Sequence, residues 1–166
     1  MTRVLVAYAT KMNGTKGIAE AIGDELTAHG LTVEVRNVRE ADSPDYYDAV
    51  VLGSGVYAGR WRPEAKHWFN QHADELSRHP VWVFESGWVG RKPPAISPTP
   101  GAVKRAARIG AEPPTVFGGR LDPTLATGPF DRMLAKRMSG DARDFDEIRA
   151  WAGKVADALT AAPAQG

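Results

Sequence analysis

A chain of 166 residues, 43% hydrophobic and 25% charged, has the length of a single domain (1–166) with enough apolar material for a real core. It has no cysteine, which excludes disulfides, thiolate nucleophiles and zinc–thiolate or iron–sulfur sites, so redox chemistry needs an organic cofactor or a metal on N and O ligands. The net charge of +1 hides a basic stretch: residues 87–140 carry nine Lys/Arg against three acids, a local +6 that suits an anionic substrate, anionic lipid or nucleic acid, or else a mixed solvated surface.

The first element, "RVLVAYA" (3–9), is a continuous apolar run, the pattern of a strand buried on both faces. It starts too early to leave room for a signal peptide, and no run approaches the roughly 20 residues that span a bilayer, so a cytoplasmic location is expected. Ile18, Ile22 and Leu26 form one helical stripe that Gly30 ends. "LTVEVRNV" (31–38) alternates like a strand near the less buried side of a sheet. Only ten residues, 39–48, cross to the next strand, so this connection holds at most a single helical turn. "DAVVLGSG" (48–55) is a further apolar strand, and 63–76 reads as a helix with Pro63 at its first position and Ala65, Trp68, Phe69 and Leu76 facing in.

"PVWVFESG" (80–87) is another apolar strand, followed by a Pro-rich loop. Thr99 and Pro100 read as the N-cap and first position of a helix running to about Ile109. "PTVFGGRL" (114–121) is expected as a fifth strand, and 127–138 as a short basic amphipathic helical segment. Asp144 with Glu147 resembles a capping box, with Ile148, Trp151, Ala152, Val155 and Leu159 on the inner face of a last helix. The tail 161–166 is expected to be loose. Alternation of strand and helix throughout predicts one parallel sheet with helices on both faces.

In such a sheet ligands bind beyond the C-terminal strand ends, where the winding direction reverses. Three loops leave those ends. In the first, Thr10 and Thr15 bracket a turn into a helix N-terminus, a place that favours an anion; Thr15 either adds a donor to a phosphate or caps the helix. It is no P-loop, since no G-x-x-x-x-G-K-[ST] spacing fits. In the second, Gly53, Gly55 and Ala58 have G-x-G-x-x-A spacing, but this follows the third strand and Trp61-Arg62-Pro63 intervene before the helix, so the dinucleotide match is accidental. The third loop puts Trp88 just past a strand end. Tyr57, Trp61 and Trp88 are expected to gather above one crevice, suited to a flat conjugated ring. The histidines offer no shared metal face, and no metal is expected.

The stretches "VLVAYATKMNGTKGIAEAIG", "YDAVVLGSGVYAGRW", "PVWVFESGWVG" and "DFDEIRAWA" together resemble the flavodoxin-domain family. They are most similar to its branch of FMN-dependent oxidoreductases that includes the menaquinone-dependent protoporphyrinogen oxidases. The resemblance runs from Arg3 to about Leu159. It implies an α/β flavodoxin-like three-layer α/β/α sandwich, whose five-stranded parallel sheet has the order 2-1-3-4-5, with FMN at the strand 1/strand 3 switch point. Carried over by position, Thr10, Lys11, Met12, Asn13, Gly14 and Thr15 cradle the FMN phosphate. Ser54, Gly55, Val56 and Tyr57, with Trp61 beyond them, flank one side of the ring, and Ser86, Gly87, Trp88 and Val89 approach from the other.

Two positions depart from the family pattern. Its loop reads T-x-x-G-x-T, with glycine where this chain has Asn13; asparagine best tolerates positive φ, which lets the turn survive, while a deazaflavin becomes an alternative ligand. Glu85 stands where the family has a small polar residue. It is either a partly exposed carboxylate paired with an arginine, or a carboxylate near the flavin that tunes potential or moves a proton, which makes it the one catalytic candidate.

The resemblance implies an FMN-dependent oxidoreductase passing electrons to a quinone, with a porphyrinogen-like substrate as a candidate source of them. Near-neutral charge with a basic half disfavours the alternative of a flavodoxin-like electron carrier, which as a class is acidic. A third reading is a flavin-free interaction protein of the same fold. Peripheral contact with an anionic membrane through 127–138 is expected under the first reading, and no nucleic-acid partner is expected.

Overall fold

Alternate residues of the first strand enter different layers, which is why it reads as an unbroken apolar run. Leu5 and Ala7 join one core, Val4 and Val6 the other, and all four are fully buried. The computed structural model describes residues 2–11, 13–88, 92–121, 128–129 and 140–161. In chain order the elements are β1 (Arg3–Ala9), α1 (Gly14–Ala28), β2 (Thr32–Asn37), a single 3-10 turn (Pro44–Tyr46) and β3 (Ala49–Tyr57). There follow β4 (Arg60–Trp61), α2 (Pro63–Leu76), β5 (Val81–Ser86), α3 (Pro100–Arg108), β6 (Thr115–Phe117), β7 (Arg120–Leu121), β8 (Gly140–Asp141) and α4 (Phe145–Thr160).

The main sheet runs β2-β1-β3-β5-β6, with every neighbouring pair parallel. Counting only these long crossover strands, this is the expected 2-1-3-4-5 order. The reversal falls between β1 and β3: the chain steps outward from β1 to β2, then returns past β1 to lay down β3. One core lies under α2 and α3, where Trp68, Phe69, Leu76, Ala102 and Ala106 cover Leu5, Val50, Leu52 and Val83. The other lies under α1 and α4, where Ile18, Ile22, Leu26, Ile148 and Val155 cover Val4, Val6, Val51 and Phe84. Burying each large aliphatic or aromatic side chain contributes about 2 kcal/mol, so these two seams dominate stability.

Helix ends follow the local chemistry. Pro63 opens α2 at the expected residue, and Asp144 caps α4 by accepting the N–H groups of Asp146 and Glu147, both at 3.1 Å. The short crossover between β2 and β3 holds only the one 3-10 turn, N-capped by Ser43. Thr99 occupies the N-cap position of α3 but makes no cap hydrogen bond, because its side chain is engaged elsewhere.

The fifth strand is shorter than the 114–121 run suggests. It stops at Phe117, and Arg120–Leu121 pair instead, antiparallel, with Gly140–Asp141. Gly118 is the cause: a Cβ there would lie 2.0 Å from the Ala142 carbonyl oxygen, and the Gly119 carbonyl accepts Ala142 N–H at 2.9 Å. The glycine pair lets a distant segment dock on the chain and turn it out of the sheet. The basic segment 127–138, apart from residues 128–129, and the tail from 162 lie outside the described residues. Among the described residues no helix is long and apolar enough to cross a membrane.

Tyr47, 5% exposed in the core under α2, donates its hydroxyl to Glu34. Burial first, and then that carboxylate, raise the phenol from 10.0 to about 12. The folded state therefore keeps a proton that the unfolded chain releases, so this contribution is full below pH 10 and is lost as pH rises towards 12. Stability should fall by roughly 2–3 kcal/mol through this window from this group, and Tyr47→Phe should flatten that part of the denaturation-midpoint profile.

Candidate functional site

Strands β1, β3 and β5 end side by side, with Ala9, Ser54 and Glu85 in register and Gly55 opposite Ser86 one step further. After β1 the chain turns at Asn13, whose φ of 60° is left-handed, and enters α1 at Gly14. Asparagine thus takes the conformation a glycine would take, at modest cost. The Asn13 side chain does not cap α1, and the first turn of the helix carries no acid. The first backbone bond into the helix is from Gly17 N–H to the Asn13 carbonyl at 3.3 Å. The N–H groups of Gly14, Thr15 and Lys16 therefore lie at the positive end of the helix dipole without an intrahelical acceptor, the arrangement that binds anions.

Thr15 does not cap the helix. It is 2% exposed, and its hydroxyl shares a 2.9 Å hydrogen bond with the Ser86 hydroxyl at the end of β5. It also abuts β3, because a Cβ on Gly55 would come within 3.0 Å of Thr15 Oγ1. One threonine thus ties the first loop to the other two. Lys11 adds a second link: its Nζ lies 3.8 Å from the centroid of the Tyr57 ring. Thr10 leads into this turn, half-buried. Met12 and Val89 lie outside the described residues.

The second loop is a hairpin. β3 continues through Gly55, Val56 and Tyr57, and β4 folds back antiparallel with Val56 opposite Trp61 and Tyr57 opposite Arg60. Both turn residues, Ala58 and Gly59, have positive φ (52° and 75°), as a two-residue hairpin of the primed type requires. Alanine is unsuited to that conformation, so Ala58→Asn is expected to raise the unfolding free energy by about 1 kcal/mol, read from the denaturant midpoint. The accidental dinucleotide spacing gains a structural explanation here: Gly53 is small because the Phe84 ring covers it, and Gly55 because Thr15 does.

The hairpin corrects one expectation. Pairing with Val56 draws Trp61 inward, and it is only 3% exposed, packed in the α2/α3 core instead of offering a ring face at the crevice beside Tyr57. Ser54 likewise turns inward: fully buried, its hydroxyl accepts the Arg62 N–H at 3.0 Å and donates to the Gly55 carbonyl at 2.9 Å. Gly55, Val56 and Tyr57 are partly exposed, as is Trp88 across the site. The third loop is pinned by Gly87 N–H to the Phe117 carbonyl and Gly119 N–H to the Trp88 carbonyl, both at 2.7 Å.

Glu85 is not partly exposed, and among the described residues it is bonded to no arginine. It is 1% exposed and accepts Trp61 Nε1–H at 2.7 Å, Thr99 N–H at 2.8 Å and the Thr99 hydroxyl at 2.6 Å. Arg105 lies 5.2 Å from the Trp61 ring centroid; burial lowers its pKa, and the Glu85 charge opposes that shift.

Two arginines near the first loop carry no sequence signal. The backbone oxygen and Cβ of Arg120 would lie 3.0 and 3.1 Å from a Cβ on Gly14. Arg143 Nη1 donates to the Gly14 carbonyl at 3.4 Å across 129 positions. Asp141 holds the Arg143 guanidinium through two oxygens, at 2.9 and 2.7 Å, and is itself kept below its usual pKa chiefly by those bonds. Of the nearby cations, the Arg143 guanidinium reaches the Gly14 carbonyl while held by Asp141, Lys11 Nζ sits over the Tyr57 ring, and Lys16 Nζ is 4.0 Å from Glu20.

Residues 5–144 match the family model described as Flavodoxin domain. Over 98 residues the chain is 28% identical to the protoporphyrinogen IX dehydrogenase [quinone] of Escherichia coli strain K12, a match covering 58% of this chain and 54% of that protein. The chain therefore spans about half the length of this curated relative. Among solved structures, the rubredoxin oxygen:oxidoreductase of Desulfovibrio gigas superposes with a TM-score of 0.65 at 13% identity, covering 97% of this chain and 37% of that one. A flavodoxin from the domain Archaea superposes with a TM-score of 0.62 at 14% identity, over 95% of this chain and 99% of that one.

Proposed function

We propose that this chain, which belongs to the flavodoxin-domain family, is an FMN-dependent oxidoreductase that delivers electrons to a quinone. The observation that carries the reading is the convergence at Thr15. The uncapped, acid-free N-terminus of α1 is bonded to the end of β5 and seated against the end of β3, at the point where the sheet reverses its winding. These residues fit a ring-bearing phosphate ester: helix-end amides for the dianion with Lys11 and Arg143 beside them, partly exposed Tyr57 and Trp88 for the ring, and no carboxylate in the first turn to repel it.

FMN supplies the redox centre when bound. The chain's own residues do the rest. The amides of Gly14, Thr15 and Lys16 hold the phosphate, with Thr10, Lys11 and Asn13 shaping the turn around it. Gly55, Val56 and Tyr57 form one wall and Ser86, Gly87 and Trp88 the other, which fixes the plane of the ring and keeps water from its faces. No protein acid or base need act on the ring.

The quinone acceptor and a porphyrinogen-like donor are taken from the name of the Escherichia coli relative, together with the basic 87–140 stretch, which suits a substrate bearing carboxylates. A cytoplasmic protein touching an anionic membrane through 127–138 is part of this reading. The test is steady-state turnover of protoporphyrinogen with a menaquinone analogue by the FMN-loaded protein. Catalytic turnover supports the reading. Stoichiometric reduction and reoxidation without turnover marks an electron carrier, and a protein that takes up no flavin or deazaflavin is the interaction protein.

A further inference from the structure

A buried carboxylate at the strand ends takes no part in holding the phosphate or facing the ring. Glu85 is 1% exposed, and both of its oxygens accept hydrogen bonds. A buried carboxylate is a poor choice for stability alone, since a well-packed apolar residue of similar volume is often at least as favourable. Its three donors come from two separate segments, the hairpin after β3 and the loop end before α3. One is the hairpin 54–61, whose second strand has two residues and whose turn contains the strained Ala58. The other is Thr99, which ends the Pro-rich loop after β5 and begins α3.

We propose that Glu85 is a positioning residue, fixing the Trp61 hairpin and the Thr99 loop end together so that the Tyr57 wall stands at a set distance from the first and third loops. This rests on the reading that Gly55, Val56 and Tyr57 wall a flavin. The three connections are complementary. Trp61 Nε1–H and the Thr99 hydroxyl meet on Oε2, at 2.7 and 2.6 Å, while Thr99 N–H takes Oε1 at 2.8 Å. Arg105, 5.2 Å from the Trp61 ring centroid, packs against the same indole. Strand β5 therefore carries, at adjacent residues, the carboxylate that locks the hairpin and the Ser86 hydroxyl that locks Thr15. Glutamine at 85 keeps the shape but offers one oxygen where two are needed, so at least one donor loses its acceptor.

The experiment is a double-mutant cycle of Glu85→Gln and Trp61→Phe, read as FMN affinity at a temperature well below each variant's unfolding midpoint. Each single change is expected to weaken FMN at least about tenfold, and the double variant to be no weaker than the worse single one. Losses that multiply, or a Glu85→Gln affinity within about twofold of the parent, overturn the proposal. A second readout needs no flavin. The Trp61 indole N–H signal, identified by its disappearance in Trp61→Phe, is expected to move and to exchange at least about tenfold faster in Glu85→Gln, together with the Tyr57 and Arg60 amides. If the parent protein binds no FMN, the flavin reading fails, and the exchange data alone decide whether Glu85 fixes the hairpin: unchanged exchange overturns it. Should Glu85→Gln not fold, Trp61→Phe and Thr99→Val each remove one donor and are measured by exchange of the Tyr57 and Arg60 amides. Faster exchange there supports the lock, and unchanged exchange overturns it.

Discussion

Gly53→Ala is expected to lower the unfolding free energy by about 3 kcal/mol, a large effect for one methyl group. The added Cβ would stand 2.0 Å from Phe84 Cζ, with two further ring atoms at 2.2 and 2.4 Å. The ring has nowhere to retreat: Phe84 is fully buried, 5.9 Å from the Phe117 ring and 6.2 Å from that of Trp151. Nor can the backbone shift, since β3 is hydrogen-bonded on both sides, to β1 and to β5. Urea unfolding checks this, and adding Phe84→Leu should recover part of the loss because the clash partner is smaller. A loss under about 1 kcal/mol would mean that the centre of the sheet is looser than described.

Thr15→Ala is expected to weaken FMN binding by about tenfold, because the backbone amides that hold the phosphate lose the side chain that moors them to β5. The change also strips Ser86 of its 2.9 Å partner and opens the contact with Gly55, so the helix N-terminus loses its fixed place against β3 and β5. The loss should appear with FMN and largely vanish with riboflavin, which has no phosphate for that terminus to hold. Equal affinity in the parent and variant would remove the first loop from the phosphate site.

The layout of the fold is legible in the chain because its central strands are buried on both faces and so read as uninterrupted apolar runs. Pro63 and Asp144 mark helix starts by chemistry that acts within a few residues. The hairpin at 57–60 is not legible. Its turn reads Ala-Gly, where alanine takes a positive φ it disfavours, so the usual Asn-Gly signal is missing. That hidden turn moves Trp61 from an expected ring platform into the core. The break after Phe117 is hidden for another reason: Gly118 and Gly119 matter because of Ala142, more than twenty positions on.

The candidate site divides along the same line. The turn at Asn13 and the helix that follows are local, and the left-handed backbone there is what an asparagine in a glycine's place predicts. The bond between Thr15 and Ser86 spans 71 positions, and that between Arg143 and Gly14 spans 129, so no window of sequence could reveal them. Glu85 shows both sides of this. Its oddness at a strand end is visible in the chain, but its burial and its bonds to Trp61 and Thr99 exist only after folding.

Whether the N-terminus of α1 holds a flavin phosphate between the ends of β1, β3 and β5 is decided by an equilibrium titration of the flavin-free protein. FMN and, in parallel, riboflavin are the ligands, and quenching of flavin fluorescence is the signal. One FMN bound per chain, with riboflavin weaker by about a hundredfold, is the predicted result. Equal affinity for the two flavins, or no binding of either, would contradict it.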